Sequence, residues 1–500
     1  MVRMVTDYLD LTAKKYPDKI AFSDGNTSTN FYTLRENALH IASSIINLQL
    51  INKPIAVFLD KSVECIEAFL GVNYSGNFYS PLDTKMPIER LNKICNVLDP
   101  CCILTDNEHA EIIKKFCSTK IILTYETCIN TVVDYNLIEN VVDKAIDTDI
   151  SYVLFTSGST GIPKGVIISH KSLIAYTEWV SESFDINEQT ILGNQTPFYF
   201  SMSVLDIYQT IKNAATMFII PKILFSFPIK LLDFIIEKRI NFIYWVPSAL
   251  CLVANLKALN KRDISCLRQV LFAGEVMPAR QLNMWREALP KASFANLFGP
   301  TETTDICNFY RIGRVLADDE SVPIGDACKN TKLLILDENN KEVTDGDVGE
   351  LCVKGSILAY GYYKDPQKTK AAFVQNPLND VYPEFIYRTG DLVHRNEFKE
   401  LIYDGRKDFQ IKHMGHRIEL GEIEIAAYSL EQVDQCCCLY DVVKQKIVLF
   451  YSGKITEKEI LLMLKSKVNE YMIPNKILRL VALPINLNGK IDRVKLKELL

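Results

Sequence analysis

Along most of the chain, short apolar runs alternate with longer segments in which apolar residues recur every three or four positions. KPIAVFLD (53–60), CCILTD (101–106), KIILTY (120–125), NFIYWVP (241–247) and RQVLFAG (268–274) are rich in β-branched and aromatic residues and predict strands. Between such runs, ECIEAFLGVNYSG (64–76), EHAEIIKKFC (108–117) and LLDFIIEKRI (231–240) carry the helical period. This β/α alternation predicts parallel sheets covered by helices.

Beyond residue 320 the texture changes. TKLLILDENNKEVTDGDVGELCVKG (331–355) places β-prone stretches around NN and DG turns, the pattern of a meander or small barrel. YDGRKDF (403–409) offers polar, flexible residues at which a boundary fits. In the final piece, IELGEIEIAAYSL (418–430) predicts a helix, and CCCLYDVV (436–443) and KIVLFYSG (446–453) predict strands. TEKEILLMLKSKVNEYM (456–472) predicts a helix opened by Thr456 and Glu459 at capping-box spacing. The expected fold is α/β: residues 1–404 form two β/α subdomains and a small β-barrel-like subdomain, and residues 405–500 form a small α+β lid domain.

Composition narrows the function classes. Hydrophobic residues make up 48% and charged residues 23% of the 500, as in ordinary globular proteins. A net charge of -5 with scattered lysines and arginines gives no basis for nucleic-acid or membrane-surface binding. The most apolar stretch, MFIIPKILFSFPIKLLDFII (217–236), is broken by Pro221, Lys222, Pro228 and Lys230, and predicts no membrane span. Fourteen cysteines include no C-x-x-C pair, and the six histidines show no metal spacing. The simplest expectation is reduced, mostly buried thiols in a cytoplasmic protein.

The richest chemistry lies in TSGSTGIPKG (156–165), which directly follows the apolar run YVLF. Gly158, Gly161 and Gly165 let backbone amides approach an anion, the hydroxyls of Thr156, Ser157, Ser159 and Thr160 add donors, and Lys164 adds positive charge. Pro163 before Lys164 and Gly165 after it exclude the usual P-loop, and no G-x-G-x-x-G dinucleotide spacing can be drawn through these glycines. The loop is phosphate-binding by composition, and of another kind.

Further segments carry a family resemblance. FLGVNYSGNFYSPLD (69–83), YVLFTSGSTGIPKGVIISH (152–170), NLFGPTETT (296–304), GELCVKGSILAYGY (349–362), YRTGDL (387–392), GRKDFQIKHMGHRIELGEIE (405–424) and NGKIDR (488–493) occur in the order of the adenylate-forming enzymes. The chain resembles their stand-alone amino-acid adenylation domains, such as D-alanine–carrier-protein ligases and the adenylation domains of nonribosomal peptide synthetases. The resemblance implies an enzyme in which a carboxylate attacks the α-phosphate of ATP, with magnesium and cations neutralising the leaving pyrophosphate.

The resemblance also implies roles for residues. Thr156 to Lys164 would hold phosphates, Glu302 would ligate magnesium beside Thr301, and a carboxylate suits that hard cation. Phe298 stands where the family more often has an adenine-stacking Tyr; Gly274, Asn296 and Gly299 complete the nucleotide set. Asp391 would grip the ribose hydroxyls, with Arg406 and Tyr403 beside the nucleotide. Lys490 matches the mobile lysine of the adenylation step, Lys412 belongs to the motif that faces the site in the second half-reaction, and Asp408 matches the hinge between the two. No carrier-like segment follows NGKIDR, so the expected acceptor is the phosphopantetheine thiol of a separate carrier protein, or coenzyme A.

The acid pocket departs from the family. Relatives that take α-amino acids have an Asp in a Phe-Asp-x-Ser motif that pairs with the α-ammonium; FYFSMSVLD (198–206) puts Ser201 there. Met202, Leu205, Tyr244, Leu271, Ala273, Leu297, Asp305 and Ile306 are expected to line the same pocket. A hydroxyl cannot neutralise a buried ammonium, so the expected substrate is a small acid other than an ordinary L-α-amino acid: a β-amino acid if Asp305 faces the pocket, or a hydroxylated aryl acid. Acyl- or aryl-CoA ligases share the motifs, and a non-catalytic nucleotide-binding paralogue is the remaining alternative. Retention of Lys164, Glu302, Asp391, Arg406 and Lys490 together argues against the last.

Overall fold

The computed structural model describes residues 2–119, 121–158, 161–485 and 491–500. Two large sheets organise the N-terminal region. The first has seven strands in the order Gly361–Tyr362, Lys164–Ser169, Ile150–Thr156, Phe78–Pro81, Pro54–Phe58, Cys102–Thr105, Ile122–Thr124. The second has nine and runs from Asp326–Ala327 through Ser293–Phe298, Gln269–Phe272 and Phe242–Trp245 to Ser28–Asn30. Their central strands pair in parallel and read as unbroken apolar runs. PIAVF and FIYW are buried at every position, as strands covered on both faces must be.

One hydrophobic core unites the sheets. Ile55, Tyr79 and Leu154 of the first sheet and Phe22, Met217 and Tyr244 of the second share it with helical Ile41, Phe69, Tyr176 and Tyr208. Helix Val63–Tyr74 lies inside this layer, buried along nearly its whole length, and starts where the Ser62 hydroxyl accepts from the Cys65 amide. His170 opens helix His170–Ser183 nearby, 1% exposed, with Nδ1 accepting from the Val5 amide at 3.3 Å.

Burial pushes the His170 imidazole down from 6.5 to about 3. The unfolded chain therefore binds a proton below about 6.5 that the folded chain refuses until about 3. Stability from this residue is complete above the upper value and falls as pH drops between the two. At pH 5 the loss is about 2 kcal/mol, from 1.36 kcal/mol per unit. His170→Asn, whose Oδ1 takes over the Val5 bond, should lessen the fall in urea midpoint between pH 7.5 and pH 5. An unchanged fall would remove His170 as its source.

The predicted barrel-like piece is a five-stranded antiparallel sheet of Thr331–Leu336, Gly349–Gly355, Phe385–Arg395, Phe373–Gln375 and Leu401–Arg406. Its last strand pairs Arg406 with Asp391 and so crosses the 404/405 position read as a boundary. The segment EHAEIIKKFC differs from expectation: only Ala110–Ile113 is α-helical, and Lys115 to Cys117 close in short turns onto Ile112 and Ile113. A segment this short lacks the hydrogen bonds to propagate a helix unaided. In 217–236, the prolines place a 3₁₀ turn, Lys222–Ser226, before helix Pro228–Glu237, and among the described residues no helix is long and apolar enough to cross a membrane.

The C-terminal piece is a three-stranded sheet, Val433–Asp441, Lys446–Gly453 and Lys476–Arg479, packed by helices Leu420–Tyr428 and Glu457–Lys467. The latter helix forms its capping box: the Thr456 hydroxyl accepts from the Glu459 amide at 3.3 Å, and the Glu459 carboxylate accepts from the Thr456 amide at 2.9 Å. The run Cys436–Cys438 obeys strand alternation. Cys436 and Cys438 enter one core and Cys437 the opposite one. All fourteen cysteines are free thiols.

Candidate active site

The phosphate loop joins two antiparallel strands, Ile150–Thr156 and Lys164–Ser169, with Thr156 opposite Lys164. It turns tightly: Gly158 accepts from the Gly161 amide at 2.9 Å, and a Cβ at Gly158 would lie 2.1 Å from the Ile162 carbonyl oxygen. Ser159 and Thr160 lie outside the described residues. The Thr156 hydroxyl is buried with no hydrogen-bond partner among the described residues, a donor left for an incoming group.

Glu302 sits in the 3₁₀ turn Thr301–Thr303 that ends strand Ser293–Phe298, and it is fully buried. Arg417 lies 2.6 Å from its Oε2; Tyr362 Oη donates to Oε1 at 2.7 Å, and Lys164 Nζ is 3.5 Å away. Burial alone would raise this carboxyl, but Arg417, Lys164 and the Tyr362 hydroxyl outweigh it and hold it well below the usual carboxylate range. Burial and the neighbouring Arg417 guanidinium draw the Lys164 ammonium down.

Asp391 and Arg406 are cross-strand partners 2.8 Å apart, nearly buried, and Arg406 reaches on to both oxygens of Asp408 at 2.7 Å. The Phe298 and Tyr403 rings meet at 5.5 Å, and Lys412 Nζ stands 4.1 Å over the Phe298 ring. Asn296 turns away from the cavity and donates to the Pro323 carbonyl. Lys490 lies outside the described residues; its neighbour Ile491 packs on the C-terminal sheet with Leu483 and Phe450.

The C-terminal piece enters this site as a hairpin, Gln410–His413 and His416–Glu419. Its two-residue turn has positive φ at both positions, 51° at Met414 and 77° at Gly415, as a type I′ turn requires. A Cβ at Gly415 would lie 2.4 Å from Val246 Cγ1. Ser157 Oγ donates to the Arg417 carbonyl at 2.7 Å, and a buried ion pair joins Arg90 to Glu422.

One cavity connects these parts. Thr156, Ser157, Gly274, Gly299, Thr301, Asp391, Arg406 and Lys412 line it together with Ser201, Met202, Ala273, Asp305 and Ile306. Leu205, Tyr244, Leu271 and Leu297 are buried in the core and are not on its wall. Tyr244 and Tyr176 both donate their hydroxyls to Asp305 Oδ2, at 3.0 and 2.8 Å. Burial raises the Asp305 carboxyl to about 6 against the pull of the Tyr176, Tyr244 and Ser201 hydroxyls. Sequence reasoning did not assign Arg417, Tyr362, Arg90 or Tyr176. Arg417 lies in GRKDFQIKHMGHRIELGEIE and Tyr362 in GELCVKGSILAYGY, whereas Tyr176 carries no motif signal.

A glycine-rich loop, a buried glutamate between cations and a carboxylate–arginine pair around a cavity that also reaches Ser201 and Asp305 suit an ATP-dependent, acyl-adenylate-forming ligase. The AMP-binding enzyme family matches residues 9–363, and the chain belongs to that family. It is 30% identical to a D-alanine–D-alanyl carrier protein ligase of Lacticaseibacillus casei over 99% of this chain and 98% of that protein. It is 31% identical to an L-proline–[L-prolyl-carrier protein] ligase of Streptomyces coelicolor over 88% of this chain and 86% of that one. The fold matches the Vibrio cholerae adenylation domain AlmE, solved with glycyl-adenosine-5'-phosphate, at a TM-score of 0.86, 22% identity and coverage of 100% and 98%.

Proposed function

We propose that this enzyme adenylates a small carboxylic acid other than an ordinary L-α-amino acid and passes it as a thioester to the phosphopantetheine of a separate carrier protein in the cytoplasm. The relatives' names support the carrier as acceptor. The observation that carries the substrate reading is the single cavity linking Asp391 and Arg406 to a wall bearing Ser201. An α-ammonium would meet a hydroxyl there and remain uncompensated.

Glu302 fits a magnesium ion by its chemistry, and the metal would neutralise phosphate charge when bound. Arg417 now covers Glu302 Oε2, so the hairpin must withdraw for Glu302 to serve a metal. The N-terminal sheet keeps the chain through Arg406, and Asp408 follows in a bend, which supports a pivot there with the lid beyond it rather than from residue 405. Lys412, over the Phe298 ring, belongs to the orientation of thioester formation, and Lys490 to that of adenylation.

The test is ATP–pyrophosphate exchange across a panel of acids, followed by thioester formation on a carrier protein against coenzyme A. A standard α-amino acid giving the highest kcat/KM would overturn the substrate reading; preference for coenzyme A would make the enzyme an acyl-CoA ligase. Gly415→Ala supplies a check on the hairpin. Its methyl would collide with Val246 and is strained at that φ, so the thioester step should fall at least tenfold while exchange persists. Equal losses in both steps would sink this assignment.

A further inference from the structure

The acid end of the cavity contains a carboxylate without a counter-charge. Asp305 is 2% exposed and lies on the cavity wall. The groups acting on it are neutral hydroxyls: Tyr176 and Tyr244, both on Oδ2, and Ser201. No lysine, arginine or histidine among the described residues forms an ion pair with it. Hydrogen bonds from neutral donors offset only part of the cost of burying a carboxylate, and a cation is what such a site lacks.

Position decides where on the substrate that cation sits. Ser201 Oγ lies 3.5 Å from Thr301 Oγ1, and Thr301 belongs to the turn that carries Glu302 at the nucleotide end. Ser201 thus stands between the nucleotide end and Asp305. Asp305 lies on the wall with Tyr176 and Tyr244 fully buried behind it. A hydroxyl on the substrate would be poorly served, because both tyrosines already donate to Asp305 and a further hydroxyl would leave the charge uncancelled.

Resting on the proposed adenylation of a small acid, we infer that the substrate is a short amino acid whose primary ammonium lies beyond the α-carbon. Asp305 holds that ammonium, and Ser201 lies alongside the chain that leads to it. The apolar wall of Met202, Ala273 and Ile306 suits the intervening methylenes.

The full chain should be assayed by pyrophosphate exchange with glycine, D-alanine, L-alanine, β-alanine, γ-aminobutyrate, 3-hydroxypropionate and propionate. The expected result is that β-alanine or γ-aminobutyrate exceeds every other acid in kcat/KM by at least tenfold. Asp305→Asn should raise the KM of that amino acid by roughly 30-fold or more, as loss of one partner of a buried charge pair does, and shrink its advantage over 3-hydroxypropionate. Ser201→Asp, a change at the cavity wall, should move preference toward glycine and the alanines. The inference is overturned if an α-amino acid, propionate or the hydroxy acid ranks first, or if Asp305→Asn slows all acids by the same factor. Exchange with none of the acids, nor with the wider panel, overturns the adenylation reading itself and this inference with it.

Discussion

Glu302→Gln is expected to abolish pyrophosphate exchange and to destabilise the protein at once. The carboxylate is fully buried between Arg417 and Lys164, with Tyr362 as a third partner. A neutral amide preserves the shape and leaves two cations facing each other in a dry site. Breaking a buried ion pair by neutralising one member costs about 3–5 kcal/mol. The same change removes the oxygen charge a hard cation needs. Thermal unfolding and exchange kinetics on one preparation check both parts. An unaltered melting temperature would remove the structural role, and exchange within tenfold of the parent would remove the metal role.

Lys490→Ala should lower the rate of adenylate formation by about 100-fold or more while ATP affinity changes little. The residue acts, on the motif match, on charge that develops only as the acid attacks the α-phosphate. A contact made only in the transition state appears in kcat and leaves ground-state binding alone. The loss is set on the scale of one oxyanion donor, about 3 kcal/mol. Exchange at the parent rate would end this assignment, and a matching rise in the dissociation constant for ATP would make Lys490 a ground-state ligand.

Local signals carried far: the capping box of Thr456 and Glu459, the hairpins around 331–355 and the phosphate loop all depend on residues close in sequence. YRTGDL and GRKDFQ were legible as separate motifs, yet only strand pairing makes Asp391 and Arg406 partners. Arg417 lies within GRKDFQIKHMGHRIELGEIE, yet its role is not legible there, because its partner Glu302 is 115 residues away and meets it only through the seating of the hairpin. In the acid pocket, spacing from motifs reached the right strands but could not separate wall from core. Ala273 lines the cavity while Leu271, on the preceding strand Gln269–Phe272, lies behind it. Tyr176, in a helix distant in sequence from every pocket motif, could be found only in three dimensions.

The seated hairpin also sets a rule of exclusion. With Arg417 on Glu302 Oε2, the protein's own cation occupies the place that the proposed metal would claim. On the proposed roles, metal-bound ATP and the seated hairpin would exclude each other, whereas an acyl-adenylate, which has shed pyrophosphate, would leave Glu302 to Arg417. ATP in excess would then oppose the return of the hairpin, fuel for the first step and a brake on the second.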